Sequence, residues 1–145
     1  MAVLASADQL LNENNLVPGD LDRIVCGVGP GSFTGIRIGL VSARTLALAL
    51  DLPLAGVSTL AGGEPAVMRP EDLVLEPGTL CVGDGAVRYR ALLERAGAEV
   101  PPDSSELHLV RARFHVAVAT GFGPAEEVEP LYLRVPDAEK ALGSS

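Results

Sequence analysis

The sequence predicts an α/β fold, and three observations carry that prediction. Ile24 to Val28 is a continuous apolar run rather than an alternating one, as expected of a strand covered on both faces in a parallel sheet. A glycine-rich turn, Gly29-Pro30-Gly31, follows it and opens into a long helix. Strand-like and helix-like stretches then alternate along the chain. At 145 residues the chain is long enough for one domain with a substantial core. Apolar residues make up 48% and aromatic residues only 3%, so that core must be built from Leu, Val, Ala and Ile.

Taken in order, Ser6 and Gln9 have capping-box spacing before Leu10 and Leu11, which predicts a short helix to about Asn14. Asn14, Asn15, Pro18 and Gly19 form a loop that leads through Leu21-Asp22-Arg23 into the first strand. Pro30 biases Gly29 to an extended conformation, and Ser32 is the expected N-cap of a helix running to Leu50. Asp51 and Pro53 end it, and Leu54 to Val57 is a second short strand. Gly62, Gly63, Pro65, Pro70 and Pro77 punctuate the next stretch, with one helical turn expected at Pro70-Glu71-Asp72-Leu73. Thr79 to Val82 reads as a strand, followed by Gly83-Asp84-Gly85-Ala86 and a helix to about Ala96. Asp103 and Glu106 repeat the capping-box spacing and predict a helix to roughly Thr120. A loop and last strand are expected over 126–135, with Tyr132 and Arg134 on one side, and a frayed tail from Asp137.

The formal net charge is −8, with only 11 Lys and Arg, which makes the chain a poor candidate for gripping nucleic acid unaided. Cys26 and Cys81 both fall in predicted strands and read as small core hydrophobes, consistent with a reducing compartment. The sequence shows no 18-residue apolar stretch and no basic segment followed by an apolar run at the N-terminus. A cytoplasmic protein with no membrane association is therefore expected.

The glycine turn can hold an anion or pack closely on another backbone. A P-loop would need a Lys-Ser or Lys-Thr pair closing it, which is absent. Gly29, Gly31 and Gly35 loosely follow the dinucleotide fingerprint, but Asp51 precedes the second strand instead of following it. The helix has a more telling pattern. Gly35, Gly39, Ala43 and Ala47 recur every four residues and form a ridge with almost no side chain, which lets another helix approach closely. Arg37, Val41, Arg44 and Leu48 lie on an adjoining face, mixed polar and apolar as at an interface rim. The ridge can instead pack on its own sheet, but a helix apolar on nearly all sides with two arginines favours a helical partner. At Gly83-Asp84-Gly85, Asp84 is expected to cap the following helix and Gly85 to permit the turn. His108 and His115 are two helical turns apart and are expected to be solvated, with no third ligand for a metal. No catalytic constellation can be assembled from the hydroxyls and carboxylates.

Over Gly29-Pro30-Gly31-Ser32-Phe33-Thr34-Gly35-Ile36-Arg37-Ile38-Gly39 the chain resembles the TsaB family, also called YeaZ. The likeness continues through Ala43-Arg44-Thr45-Leu46-Ala47, Gly56-Val57-Ser58-Thr59-Leu60, Gly83-Asp84-Gly85-Ala86 and Pro130-Leu131-Tyr132-Leu133-Arg134. The resemblance implies an actin-like ATPase fold of ribonuclease-H type. It also implies a non-catalytic subunit of the bacterial machinery that makes threonylcarbamoyladenosine in tRNA, supporting the catalytic TsaD subunit through a helical interface. TsaE, an ATPase, is then a further partner, and a homodimer through the same surface is expected in isolation. No cofactor is expected on this subunit alone, with ATP and metal on the partner subunits and tRNA reached only through the complex.

Two departures from the family stand out. The family's N-terminal strands and a central segment, between Ala61-Gly62-Gly63-Glu64 and Pro70-Glu71-Asp72-Leu73, have no counterpart in this sequence. The alternatives are a genuinely short protein, a sequence from which those segments have been omitted and a gene prediction with gaps; losing both segments should cripple folding, so the second is expected. Without them the strand Ile24 to Val28 has exposed backbone edges. The expected division is residues 1–60, an N-terminal subdomain portion with the glycine turn and interface helix, and 61–145, a C-terminal subdomain portion. The expected partner interface comprises Phe33, Gly35, Arg37, Gly39, Ala43 and Arg44. Gly29, Gly31, Ser32, Gly83, Asp84 and Gly85 are the turns expected near any nucleotide. The rival reading is an actin-fold ATPase or phosphotransferase built around those two turns.

Overall fold

The computed structural model describes residues 2–60 and 65–133 and divides the chain into two compact units. The first takes in the residues up to Pro65 together with those from Ala112 onward, and the second runs from Ala66 to Arg111. The sequence reading placed everything beyond residue 60 together. In the structure the chain returns to the first unit after Arg111, because Leu54 and Gly123 exchange both backbone hydrogen bonds there.

In the first unit, α1 (Ala2–Glu13) leads to β1 (Ile24–Gly29), α2 (Phe33–Leu50) and β2 (Leu54–Ser58). The two strands pair in parallel, with Ile24 opposite Leu54 and Cys26 opposite Gly56, and the register slips between Gly27 and Gly29. Cys26, Leu40, Ala47, Leu54 and Ala125 form the core, with Ile24, Ala43 and Val128 packed against it. The predicted order of strand, glycine turn, long helix and strand is therefore present, as an α/β crossover.

α1 begins five residues earlier than its capping-box spacing suggested, so Ser6 lies inside the helix. Asn15 ends it in the left-handed conformation, with Leu16 N–H donating to Leu11 C=O at 2.9 Å. Asp51 ends α2 in the same way, with Leu52 N–H donating to Ala47 C=O at 2.9 Å. Such a terminus satisfies the last orphan carbonyls, and Asn and Asp tolerate it better than other side chains. By length and composition α2 qualifies as a membrane span, contrary to the sequence expectation, because its Leu, Ile, Val and Ala outweigh its two arginines.

After α5 (Ala112–Val118) comes a 3₁₀ turn, Ala125–Glu127, instead of the predicted loop and strand. Over 128–133 the recorded pairing with β1 is one hydrogen bond, from Leu131 N–H to Val28 C=O at 2.8 Å. Arg134, the other residue assigned to that strand, lies outside the described residues.

The second unit has a 3₁₀ turn at Pro70–Asp72, α3 (Asp84–Arg88), α4 (Arg90–Arg95) and a further turn at Glu106–His108. Ala86, Leu93 and Ala98 make its core, with Leu73, Leu75, Cys81 and Val100 around them. Thr79 to Val82 is not a strand. Leu80 makes a single parallel bridge with Glu99, and Cys81 is only partly buried. The helix expected from Gly83 to Ala96 breaks at Tyr89. Gly97 (φ +89°) closes α4 with the paired bonds of a Schellman motif, Ala98 N–H to Leu93 C=O and Gly97 N–H to Glu94 C=O. The helix expected from Asp103 to Thr120 is likewise two pieces. Ser105, not Asp103, caps the first, accepting from Leu107 N–H.

Gly29 is buried at φ +108°, a region that an L side chain rarely adopts, and not extended as Pro30 suggested. A Cβ there would lie 2.7 Å from Leu131 O and 2.8 Å from Ile36 Cδ1. The expected outcome of Gly29→Ala is a loss of more than about 1 kcal/mol, read as a lower denaturation midpoint.

Candidate partner interface

Helix α2 is set by its first turn. Ser32 holds an extended conformation (φ −63°, ψ 134°), and its Oγ accepts from Gly35 N–H at 3.1 Å. The N-cap predicted from the sequence is thus present. The turn before it is pinned from β2, since Thr59 N–H donates to Gly29 C=O at 2.8 Å and Thr59 Oγ1 to Pro30 C=O at 2.6 Å. Gly31 and Ser32 are exposed, and Gly29 is buried beneath them.

The small-residue ridge separates into parts with different physical reasons. Ala47 is fully buried, and Ala43 packs on the same core. A Cβ at Gly35 would come within 2.6 Å of Ser32 Oγ, so that glycine keeps the cap intact. Gly39 alone faces open space, with nothing within 4 Å of an added Cβ. Elsewhere on its surface the helix exposes Ile38 (49%), Val41 (60%) and Leu48 (58%). Ile38 escaped the sequence reading, although its spacing of three from Val41 is a periodicity signal that could have found it.

The two arginines have opposite fates. Arg44 is half-buried, and one of its Nη atoms donates to the backbone carbonyls of Glu126 and Val128, tying α2 to the Ala125–Glu127 turn. Its Nε is buried without a hydrogen-bond partner. Arg44 is therefore an internal brace and not a rim residue. Arg37 is exposed, with its guanidinium carbon 4.3 Å from the Phe33 ring centroid. Phe33 in turn stacks on Tyr132, with centroids 5.0 Å apart and planes at 35°. Tyr132 was not among the expected interface residues.

The second unit places the other glycine turn. Gly83 (φ +94°), not Asp84, is the N-cap of α3, and no side chain caps it. Its N–H donates to His108 Nδ1 at 3.1 Å, and His108 Nε2 lies 3.1 Å from Pro101 C=O. An imidazole that accepts at Nδ1 and donates at Nε2 is the neutral tautomer. His108 is buried (6%) rather than solvated. It does not share a helix with His115, because the chain breaks between the Glu106–His108 turn and α5. Arg90 donates to Pro101 C=O as well, and to Val100 C=O and Asp103. The Asp103 hydrogen bond raises its pKa further, so it stays charged. Asp84 and Gly85 are exposed.

Comparison with known proteins gives these elements a family. Residues 2–94 match the family model described as TsaD: tRNA N6-adenosine threonylcarbamoyltransferase. The chain belongs to that family, in its TsaB (YeaZ) branch. The Bacillus subtilis tRNA threonylcarbamoyladenosine biosynthesis protein TsaB is 47% identical over 57 residues, 39% of this chain and 25% of that protein. An uncharacterized protein of Mycobacterium bovis is 34% identical over a longer alignment, covering 86% of this chain and 69% of its own length. A crystal structure from Pseudomonas aeruginosa, described as an uncharacterized protein with similarity to peptidase YEAZ, superposes with a TM-score of 0.71 at 25% identity. That superposition covers 90% of this chain and 82% of the other. The actin-like α/β fold and the TsaB resemblance expected from the sequence are both borne out. The matched stretch spans about a quarter of the named TsaB relative.

Two outcomes test this geometry. His108→Leu removes the acceptor of Gly83 N–H, with an expected cost of about 1–3 kcal/mol and faster amide exchange at Gly83. Burial pushes the Cys26 thiol up from its ordinary pKa. In the folded TsaB-type chain, thiolate-directed reagents at mildly alkaline pH should leave Cys26 unreacted until denaturant is added.

Proposed function

We propose that this chain is a non-catalytic partner subunit of the machinery that makes threonylcarbamoyladenosine in tRNA, acting on the TsaD subunit through the exposed face of α2. The observation that carries the reading is a capped 18-residue helix that leaves Ile38, Val41 and Leu48 in solvent. An apolar helical stripe of this kind is ordinarily covered by another element. The names of its relatives supply the pathway.

In this reading Phe33, Arg37 and Gly39 face the partner, while Gly35, Ala43 and Arg44 hold the helix in shape behind them. The subunit itself holds no cofactor. ATP and metal act on the partner subunits, TsaE joins the assembly, and tRNA is met only through the complex. A second copy covers the same face when TsaD is absent, and the location is cytoplasmic. The chain's acidity supports the indirect route to tRNA, since a protein of net charge −8 repels a polyanion.

The second reading, an actin-fold ATPase or phosphotransferase, draws on the family model being named for a transferase. ATP turnover by the isolated chain would favour it.

Gly39→Leu tests the partner reading, because a Cβ added at Gly39 has nothing within 4 Å of it. The variant should be slightly more stable, as Leu is a better helix former than Gly by up to about 1 kcal/mol. Its affinity for the TsaD subunit, measured by calorimetry, should fall by about tenfold or more. Unchanged affinity would remove α2 from the interface.

A further inference from the structure

The stack at the start of α2 assigns a chemistry to the partner, on the footing of the subunit reading above. We propose that Arg37, held over Phe33 and Tyr132, is a preformed receptor for a carboxylate carried within an apolar helix face of the partner protein.

Phe33 and Arg37 are four residues apart, so they share one side of α2, and Tyr132 closes the stack from the C-terminal segment. The rings are 36% and 37% exposed, and they form a small aromatic platform at the surface. Arg37 has no hydrogen bond or ion pair with any described residue. Arg23 and Arg88 likewise lie over a ring, Phe122 and Tyr89, whereas Arg90 pairs with Glu94 and Asp103 and Arg111 pairs with Glu106. α2 contains no acidic residue at all, although the chain as a whole is strongly acidic. An arginine kept unpaired on an apolar, exposed helix face is an electrostatic half-site.

The stack gives that half-site its quality. A ring beneath the guanidinium restricts its rotamers and shields one face from water, while the donor edge stays open. Ordering that would otherwise oppose association is therefore complete before the partner arrives. A carboxylate answers the planar donor fork with two parallel hydrogen bonds. Around it, Ile38 and Val41 call for apolar contacts, so the occupant is an amphipathic protein helix with one Asp or Glu on its apolar side. A nucleic-acid strand also brings anions, but it gains nothing from Ile38 and Val41 and meets a net charge of −8.

The test measures binding of the full chain to the TsaD subunit of the same organism, for wild type, Arg37→Lys, Arg37→Gln, Phe33→Leu and Gly39→Leu. Thermal melts serve as controls, because Arg37 is exposed and its replacement should leave folding intact. The expected result is about tenfold weaker binding for Arg37→Gln and only partial recovery with Arg37→Lys, which keeps the charge but loses the fork. Wild-type affinity should fall with added salt, and that dependence should flatten in Arg37→Gln. Wild-type-like binding by Arg37→Gln, with Gly39→Leu still defective, overturns the carboxylate receptor and leaves the subunit reading standing. A wild-type chain that ignores the TsaD subunit overturns both. If Arg37→Gln loses affinity for tRNA but keeps it for the TsaD subunit, the occupant is not a protein carboxylate.

Discussion

The first unit depends on how little core its two strands offer. β1 and β2 form a short parallel ladder, and α2 covers it with Ile36, Leu40 and Ala47 as its buried residues. An 18-residue helix has about five turns, so a contact this narrow leaves most of its circumference outside the core. The composition of α2 turns that shortfall into a property, because the uncovered side is made of Ile38, Val41 and Leu48. A helix that belonged only to this unit would be expected to carry charge there.

That helix is held by its ends and its brace rather than by deep burial. Ser32 caps the first turn, Asp51 closes the last in the left-handed conformation, and Arg44 ties the middle to the Ala125–Glu127 turn. Thr59 fixes the turn that feeds it, through two carbonyls. None of these contacts covers the outer face. The helix is held from behind, which is the arrangement a docking element needs if its order is not to be lost between encounters.

Local signals carried the parts of this fold that local chemistry decides. The continuous apolar run of β1, the Ser32 cap and the Asp51 stop all act within a few residues, and each is found where the sequence placed it. The misreadings involve distant partners. Thr79 to Val82 has strand composition, yet its strand-like pairing is with Glu99, a bridge rather than a ladder. Asp103 and Glu106 have the spacing of a capping box, but Asp103 bonds Arg90, and Ser105 takes the cap instead. His108 is buried because Gly83 and Pro101 approach it from segments that its own neighbourhood does not reveal. Tyr132 joins the site by the same route, from nearly a hundred positions away along the chain.

The two arginines of α2 show why residue type and period cannot by themselves define an interface. Arg37 and Arg44 are seven residues apart, two helical turns, and a periodic reading puts them on one face as equivalent rim positions. The fold separates them through what lies beyond the helix. Opposite Arg44 are two backbone carbonyls left open by the Ala125–Glu127 turn, and a guanidinium satisfies both. Opposite Arg37 are two rings and, among the described residues, no acceptor. Arg44 is thus consumed by the chain's own geometry, and its loss would be felt first as instability. Arg37 is stacked and exposed, so under the proposed partner role its loss would be felt first in recognition. On that proposal stability and association are divided between two like residues on one helix, and the division is set by the returning segment from Glu126 to Tyr132.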